Sequence, residues 1–192
     1  MARTLALLLL VTWALAQVDC DATGVVFDLS EPGPLTVQNG YTVANLSGYL
    51  HLLDVGSSLL LLPTRVVGAT VPYRVTCTVR TGGGGGGGVL CGAGTTLCFR
   101  LTGITGTLPA PLDPLSRLYL MVQPVSGSGV VSHAPSPTPL GNLPDNRGLA
   151  SIPRNTTAVL ALHFFLLLSP EDAFPSLPAS GTLTLTYGLR RN

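Results

Sequence analysis

Proline and glycine fall so densely along this 192-residue chain, 16 and 23 times, that few windows are long enough for a helix. Proline removes a backbone donor and clashes inside a helix, while glycine costs backbone entropy there. Regular structure is therefore confined to short segments, and those segments alternate. In 182–189, Leu183, Leu185, Tyr187 and Leu189 face one way and Thr182, Thr184 and Thr186 the other. That period of two marks a half-buried antiparallel strand. The stretch 71–79 repeats it, with Val71, Tyr73, Val75, Cys77 and Val79 inward and Arg74, Thr76 and Thr78 outward. Further strands are expected at 23–29, 48–55, 57–62, 97–102 and 117–123. The nearly unbroken apolar run 157–168 fits a buried helix or a strand buried on both faces, and its bounding Pro153 and Pro170 favour a long central strand. Seven or more short strands with turns between them predict an all-β chain built as an antiparallel sandwich. Two segments stand apart: seven consecutive glycines at 82–88, expected to form a mobile loop, and 125–148, rich in Ser, Pro and Gly, expected as a long surface excursion.

The N-terminus reads as an export signal. Arg3 supplies a positive start, 5–13 an apolar run, and Ala14-Leu15-Ala16 a small-x-small cleavage site. The apolar run falls short of the roughly 20 residues that span a bilayer, so no membrane anchor is expected after cleavage. Residues 1–16 are thus the expected signal peptide and 17–192 a single exported domain, periplasmic, surface-bound or extracellular. A lipoprotein is not expected, because Gln17, Val18 and Asp19 are not the small apolar residues that precede a lipidated cysteine. Four cysteines in an exported chain predict two disulfides, with three pairings open. A local Cys91–Cys98 clip and a long Cys20–Cys77 staple are favoured. The Cys91 to Cys98 spacing does not fit a zinc site.

The chain carries a formal net charge of +1 and every cation is an arginine, so a basic nucleic-acid surface is excluded. Charged residues make up 10% of the chain, against about 25% in typical soluble domains. A surface that poor in charge suits an assembly or an envelope layer.

Catalytic chemistry finds little to use. His163 lies between Leu162 and Phe164 and reads as a core histidine with one backbone partner, while His133 reads as a solvated loop residue. His51, Asp54 and Ser57 fall within seven residues of one extended stretch, and the chain has no G-x-S-x-G elbow, so no triad is expected. Glu171-Asp172 reads as a turn with capping carboxylates. The glycine run lacks the Lys-Ser/Thr ending of a phosphate loop. Asn45-Leu46-Ser47 and Asn155-Thr156-Thr157 match glycosylation sequons, which would be silent in a bacterial protein. No enzyme activity, cofactor or metal is expected.

Three stretches together resemble spore coat protein U and the related archaic chaperone–usher pilins: Cys20-Asp21-Ala22-Thr23-Gly24-Val25-Val26-Phe27, Val75-Thr76-Cys77-Thr78, and the ending from Leu177-Pro178-Ala179-Ser180-Gly181 to Tyr187. The resemblance implies an immunoglobulin-like sandwich that lacks one strand, supplied by a periplasmic chaperone or by fellow pilus subunits brought through an usher. Leu183, Leu185 and Tyr187 would border the groove that receives it. The chain departs from a polymerising subunit in one respect. Only Gln17, Val18 and Asp19 precede Cys20, a reach of about 10 Å against the roughly ten residues of a donor strand. It would accept a strand but not donate one from that end, as a pilus-tip subunit or a coat protein would. The expected function is therefore structural or adhesive contact at the cell surface. The rival is a secreted ligand- or carbohydrate-binding sandwich, poorly provided for stacking on sugars. Five Tyr and five Phe are its aromatics once the single tryptophan, Trp13, leaves with the signal.

Overall fold

A computed structural model describes residues 17–29, 36–38, 41–43, 51, 56, 58–82, 97–109, 112–172 and 180–190. The signal segment, Cys91, most of the 48–55 stretch and all but the first of the seven glycines lie outside these residues. The described chain is all-β, with two six-stranded antiparallel sheets and helix only in single turns.

The apolar run framed by Pro153 and Pro170 forms one twelve-residue strand, β13 (Thr157–Leu168). It organises the first sheet, in the order β1 (Gln17–Cys20), β7 (Val75–Arg80), β13, β9 (Leu118–Ser126), β11 (Thr138–Pro139), with β5 (Leu59–Leu61) pairing the end of β13. The second sheet runs β10 (Val131–Ser132), β12 (Gly148–Ile152), β8 (Leu97–Gly106), β14 (Ser180–Arg190), β2 (Gly24–Asp28), β6 (Arg65–Val67). A separate hairpin joins β3 (Thr36–Gln38) to β4 (Tyr41–Val43).

Alternation along each strand delivers one face to a shared core. From the first sheet come Val75, Cys77, Leu120, Leu160, Leu162 and Phe164. From the second come Val25, Phe27, Phe99, Leu101, Leu183 and Leu185. All of these are essentially inaccessible to water. Burying a side chain of this size contributes about 1.5–3 kcal/mol, so this sandwich-like core dominates the stability. The opposite face of β13 is half-covered at Val159, His163, Phe165 and Leu167, so the strand is not fully buried on both sides as the apolar run suggests.

Two expectations fail, each for a physical reason. The strand predicted over 71–79 starts only at Val75. Pro72 precedes Tyr73, whose backbone is left-handed with φ 65°, and Val71 turns out exposed rather than inward. Both ends of that turn are held by a residue remote in sequence, Asp21, whose carboxylate accepts from the Thr70 and Thr76 amides. The predicted excursion 125–148 is instead part of the domain. It contains β10, β11 and two single helical turns, Leu140–Asn142 and Pro144–Arg147, and it buries Ala134, Leu140 and Leu143.

That same segment seals one side of the structure. The Val122 amide donates to the Ala134 carbonyl at 2.7 Å, Ser132 Oγ donates to the Val122 carbonyl at 2.7 Å, and the His133 amide donates to the Leu149 carbonyl at 2.9 Å. Residues 132–134 therefore bond to β9 of one sheet and β12 of the other.

Candidate functional site

The opposite side is not sealed. The chain passes from one sheet to the other between Cys20, the last residue of β1, and Gly24, the first of β2. Cys20 pairs with Cys77 in register and is bonded to it as a disulfide. Gly24 pairs with Thr184, and the Leu185 amide then donates to the Thr23 carbonyl at 2.7 Å. There the pairing on that flank of β14 ends. The ladder to β8 shifts register between Thr186 and Tyr187, and continued alternation along β14 would carry the amides of Tyr187 and Leu189 to the edge on which Leu185 is bonded. Among the described residues no strand pairs with that edge beyond Leu185. β1 is likewise the outer strand of its own sheet.

Between the two edges lies a cavity of about 290 Å³. Val18, Asp19 and Cys20 wall it on one side, Leu185, Thr186 and Tyr187 on the other, with Thr23 where the chain crosses. Of the three residues assigned to a groove from the sequence, Leu185 and Tyr187 line this space. Leu183 does not: it is fully buried and its flank is already paired with Val25 of β2. Alternation places all three on one face of a strand but says nothing of where the neighbouring strand stops.

Tyr187 is unusual within this wall. Its ring stacks on Phe99 with centroids 5.9 Å apart, yet its hydroxyl is cut off from water and has no hydrogen-bond partner among the described residues. Burial, reinforced by the negative charge of Asp21, drives its pKa far above the ordinary 10.0, so the phenol stays protonated. A buried hydroxyl without a partner costs about 1–3 kcal/mol. Tyr187→Phe keeps the ring and removes that cost, so it is expected to stabilise the protein by about 1 kcal/mol in urea unfolding. A destabilised Tyr187→Phe would mean that the hydroxyl is already bonded.

Asp21 fixes the crossing. Its Oδ2 accepts from the Thr70 amide at 3.0 Å and the Thr70 hydroxyl at 2.6 Å, and its Oδ1 accepts from the Thr76 amide at 2.7 Å. Partial burial pushes its pKa upward, but the hydrogen bonds from Thr70 and Thr76 outweigh that and leave it below the ordinary 3.8. His163 is shifted down from 6.5 by burial, with a smaller contribution from the Arg74 charge. The signs agree in direction. A depressed carboxylate contributes stability that is full above 3.8 and lost as pH falls through its lower folded value. A depressed histidine favours the fold fully above 6.5 and less as pH falls below it. Acid should therefore weaken the protein in two steps, one below pH 6.5 absent in His163→Leu and one below pH 3.8 absent in Asp21→Asn, each read from unfolding midpoints across pH.

The other residues singled out from the sequence are dispersed. His163 is not the core histidine expected: it faces away from the core, half-buried, and its Nε2 has no hydrogen-bond partner among the described residues. His133 is not a solvated loop residue: its Nε2 lies 2.8 Å from Ser151 Oγ, a link from the residue after β10 to β12 that sequence reasoning missed because its members are eighteen apart. Asp172 sits at a turn, accepting from the Ser169 amide at 2.7 Å and pairing with Arg117 at 2.7 Å. His51 is exposed, and Asp54, Ser57 and Asn45 lie outside the described residues. Asn155 is exposed in a turn with φ 53°. Cys98 is disulfide-bonded, and Cys91 lies outside the described residues. Among the described residues no three His, Cys, Asp or Glu side chains gather as a metal site would require, and no helix is long and apolar enough to cross a membrane.

No protein-family model, curated protein or solved structure matches this chain.

Proposed function

We propose that the protein is an exported structural or adhesive subunit, of the incomplete immunoglobulin-like kind that its sequence resembles, and that it works by accepting an extended segment of another chain along the open flank of β14. One observation carries the reading. Residues 132–134 bond to both sheets on one side, while on the other side Leu185, Thr186 and Tyr187 of β14 wall a cavity of about 290 Å³, and no strand pairs with that flank beyond Leu185 among the described residues. An unpaired edge beside a cavity is what strand addition uses: the backbone ladder gives affinity and alternate side chains fill pockets. The low charge of the chain, 10% of residues, favours such contact. The incoming strand belongs to a chaperone, an usher-delivered subunit or a neighbouring coat protein. Removal of residues 1–16 and a second disulfide between Cys91 and Cys98 are parts of the same reading, since export provides the oxidising compartment.

The test uses a capped decapeptide of alternating Val and Thr, added to the oxidised protein and followed by NMR. Saturable one-to-one binding with shift changes confined to β1 and residues 185–190 of β14 is expected. Absence of binding, or changes centred on the sealed β10–β12 side, would count against the reading.

A further inference from the structure

We infer that Gln17, once it is the first residue of the exported chain, closes on itself to a pyroglutamyl ring, and that Asp19 carries the proton for that closure. The inference rests on cleavage after Ala16, which belongs to the export reading, and adds a covalent modification to it. Three observations place the chemistry. Gln17 and Asp19 are both exposed and lie two apart in β1, so they share the outer face of the first sheet. With their register partners on β7, Arg80 and Thr78, they line one small cavity of about 60 Å³. The pairing of β1 with β7 runs from Gln17 to Cys20 without a shift, and the Asp21 amide continues it by donating to the Thr76 carbonyl at 3.0 Å. Alternation then directs the backbone nitrogens of Asp19 and Gln17 toward β7 as well.

Cleavage turns the Gln17 nitrogen into a primary amine within reach of its own side-chain carboxamide. The amine lone pair attacks Cδ, the Nα–Cδ bond forms, and the Cδ–Nε2 bond breaks to leave a five-membered lactam. The attacking nitrogen loses a proton and the departing one gains a proton, so ammonia leaves and no oxidant, cofactor or second substrate is needed. The Asp19 carboxylate, an acceptor on the wall of the same cavity, takes the first proton and supplies the second. The product suits its place in the ladder. A lactam keeps one N–H, which is all that pairing with Arg80 uses, and it is neutral. A protonated amine would instead set a second cation opposite that arginine. The modification matters because β1 is so short. Only three residues precede the disulfide-bonded Cys20, and two of them, Val18 and Asp19, wall the cavity beside β14. An aminopeptidase would need only three cuts to remove most of that wall, and a terminal lactam offers such an enzyme no free amine.

The experiment secretes the full chain from a host without a glutaminyl cyclase and follows the purified product at pH 7 by intact mass and terminal peptide mapping. The expected product has the mass of residues 17–192 less one ammonia. It resists a general aminopeptidase and becomes sensitive once a pyroglutamyl aminopeptidase has removed its first residue. Gln17→Ala, which cannot close, is expected to lose residues 17–19 to the general aminopeptidase. Asp19→Asn, an exposed substitution, is expected to close about tenfold more slowly, a modest effect for a positioned proton carrier. A wild-type product that keeps its free amine overturns the inference while cleavage after Ala16 stands. A product that begins at another residue overturns the cleavage, and the inference falls with it. Closure of Asp19→Asn at the wild-type rate overturns the part assigned to Asp19.

Discussion

Replacing Cys20 and Cys77 together by alanine is expected to cost the folded protein about 4 kcal/mol. The bond closes a loop between residues 57 apart, and its loss returns the corresponding chain entropy to the unfolded state. Against a total stability of about 5–15 kcal/mol this is a large fraction. The position of the bond makes the consequence specific. β1 is four residues long and, among the described residues, lies at the edge of its sheet and pairs only with β7. Once Cys20 is released, an edge strand that short keeps only its ladder to β7 and the Asp21 hydrogen bonds at its end. The double variant should therefore lose hydrogen-exchange protection in β1 before the rest of the fold, and strand binding with it, because β1 is one wall of the cavity. Urea unfolding gives the energy and amide exchange gives the order. A double variant within about 1 kcal/mol of wild type would show that β1 is held by other means.

The second large effect lies at the centre of β13. Phe164→Ala is expected to destabilise by about 3–5 kcal/mol, since Phe164 is fully buried between the sheets and its removal leaves a cavity there. The adjacent substitution His163→Leu should change stability by less than about 1 kcal/mol at pH 7. His163 faces the other way and its Nε2 makes no bond that leucine would break. Two neighbouring residues with opposite sensitivities are the signature of a strand with one core face. Comparable losses at both positions would contradict the arrangement of β13.

Those neighbours also illustrate what the sequence can convey. β13 and β14 were legible because period-two patterning and flanking breakers are local properties, and both strands run as long as the patterning does. The short strands β6, β10, β11 and β12 were not. With two to five residues each, flanked by Gly, Pro and Ser, they are strands only because a partner lies alongside. The turn at Tyr73 was hidden for a similar reason: the alternation continues through it, and what stops the strand is Pro72 together with the remote carboxylate of Asp21. The candidate site divides along the same line. Leu183, Leu185 and Tyr187 share one face in the sequence, but only the end of β2 at Gly24 separates the paired Leu183 from the open Tyr187. No pattern in the chain announces that the Tyr187 hydroxyl lacks a partner, since that depends on every element around it.

The claim that β14 has a free flank is best tested by hydrogen exchange on the amides of Leu183, Leu185, Tyr187 and Leu189, with and without the alternating Val/Thr peptide at saturation. Tyr187 and Leu189 are expected to exchange much faster than Leu183 and Leu185 in the protein alone, and the peptide is expected to slow them to match. If Tyr187 and Leu189 are already as protected as Leu183 without peptide, that flank is occupied by the chain itself and no strand is awaited.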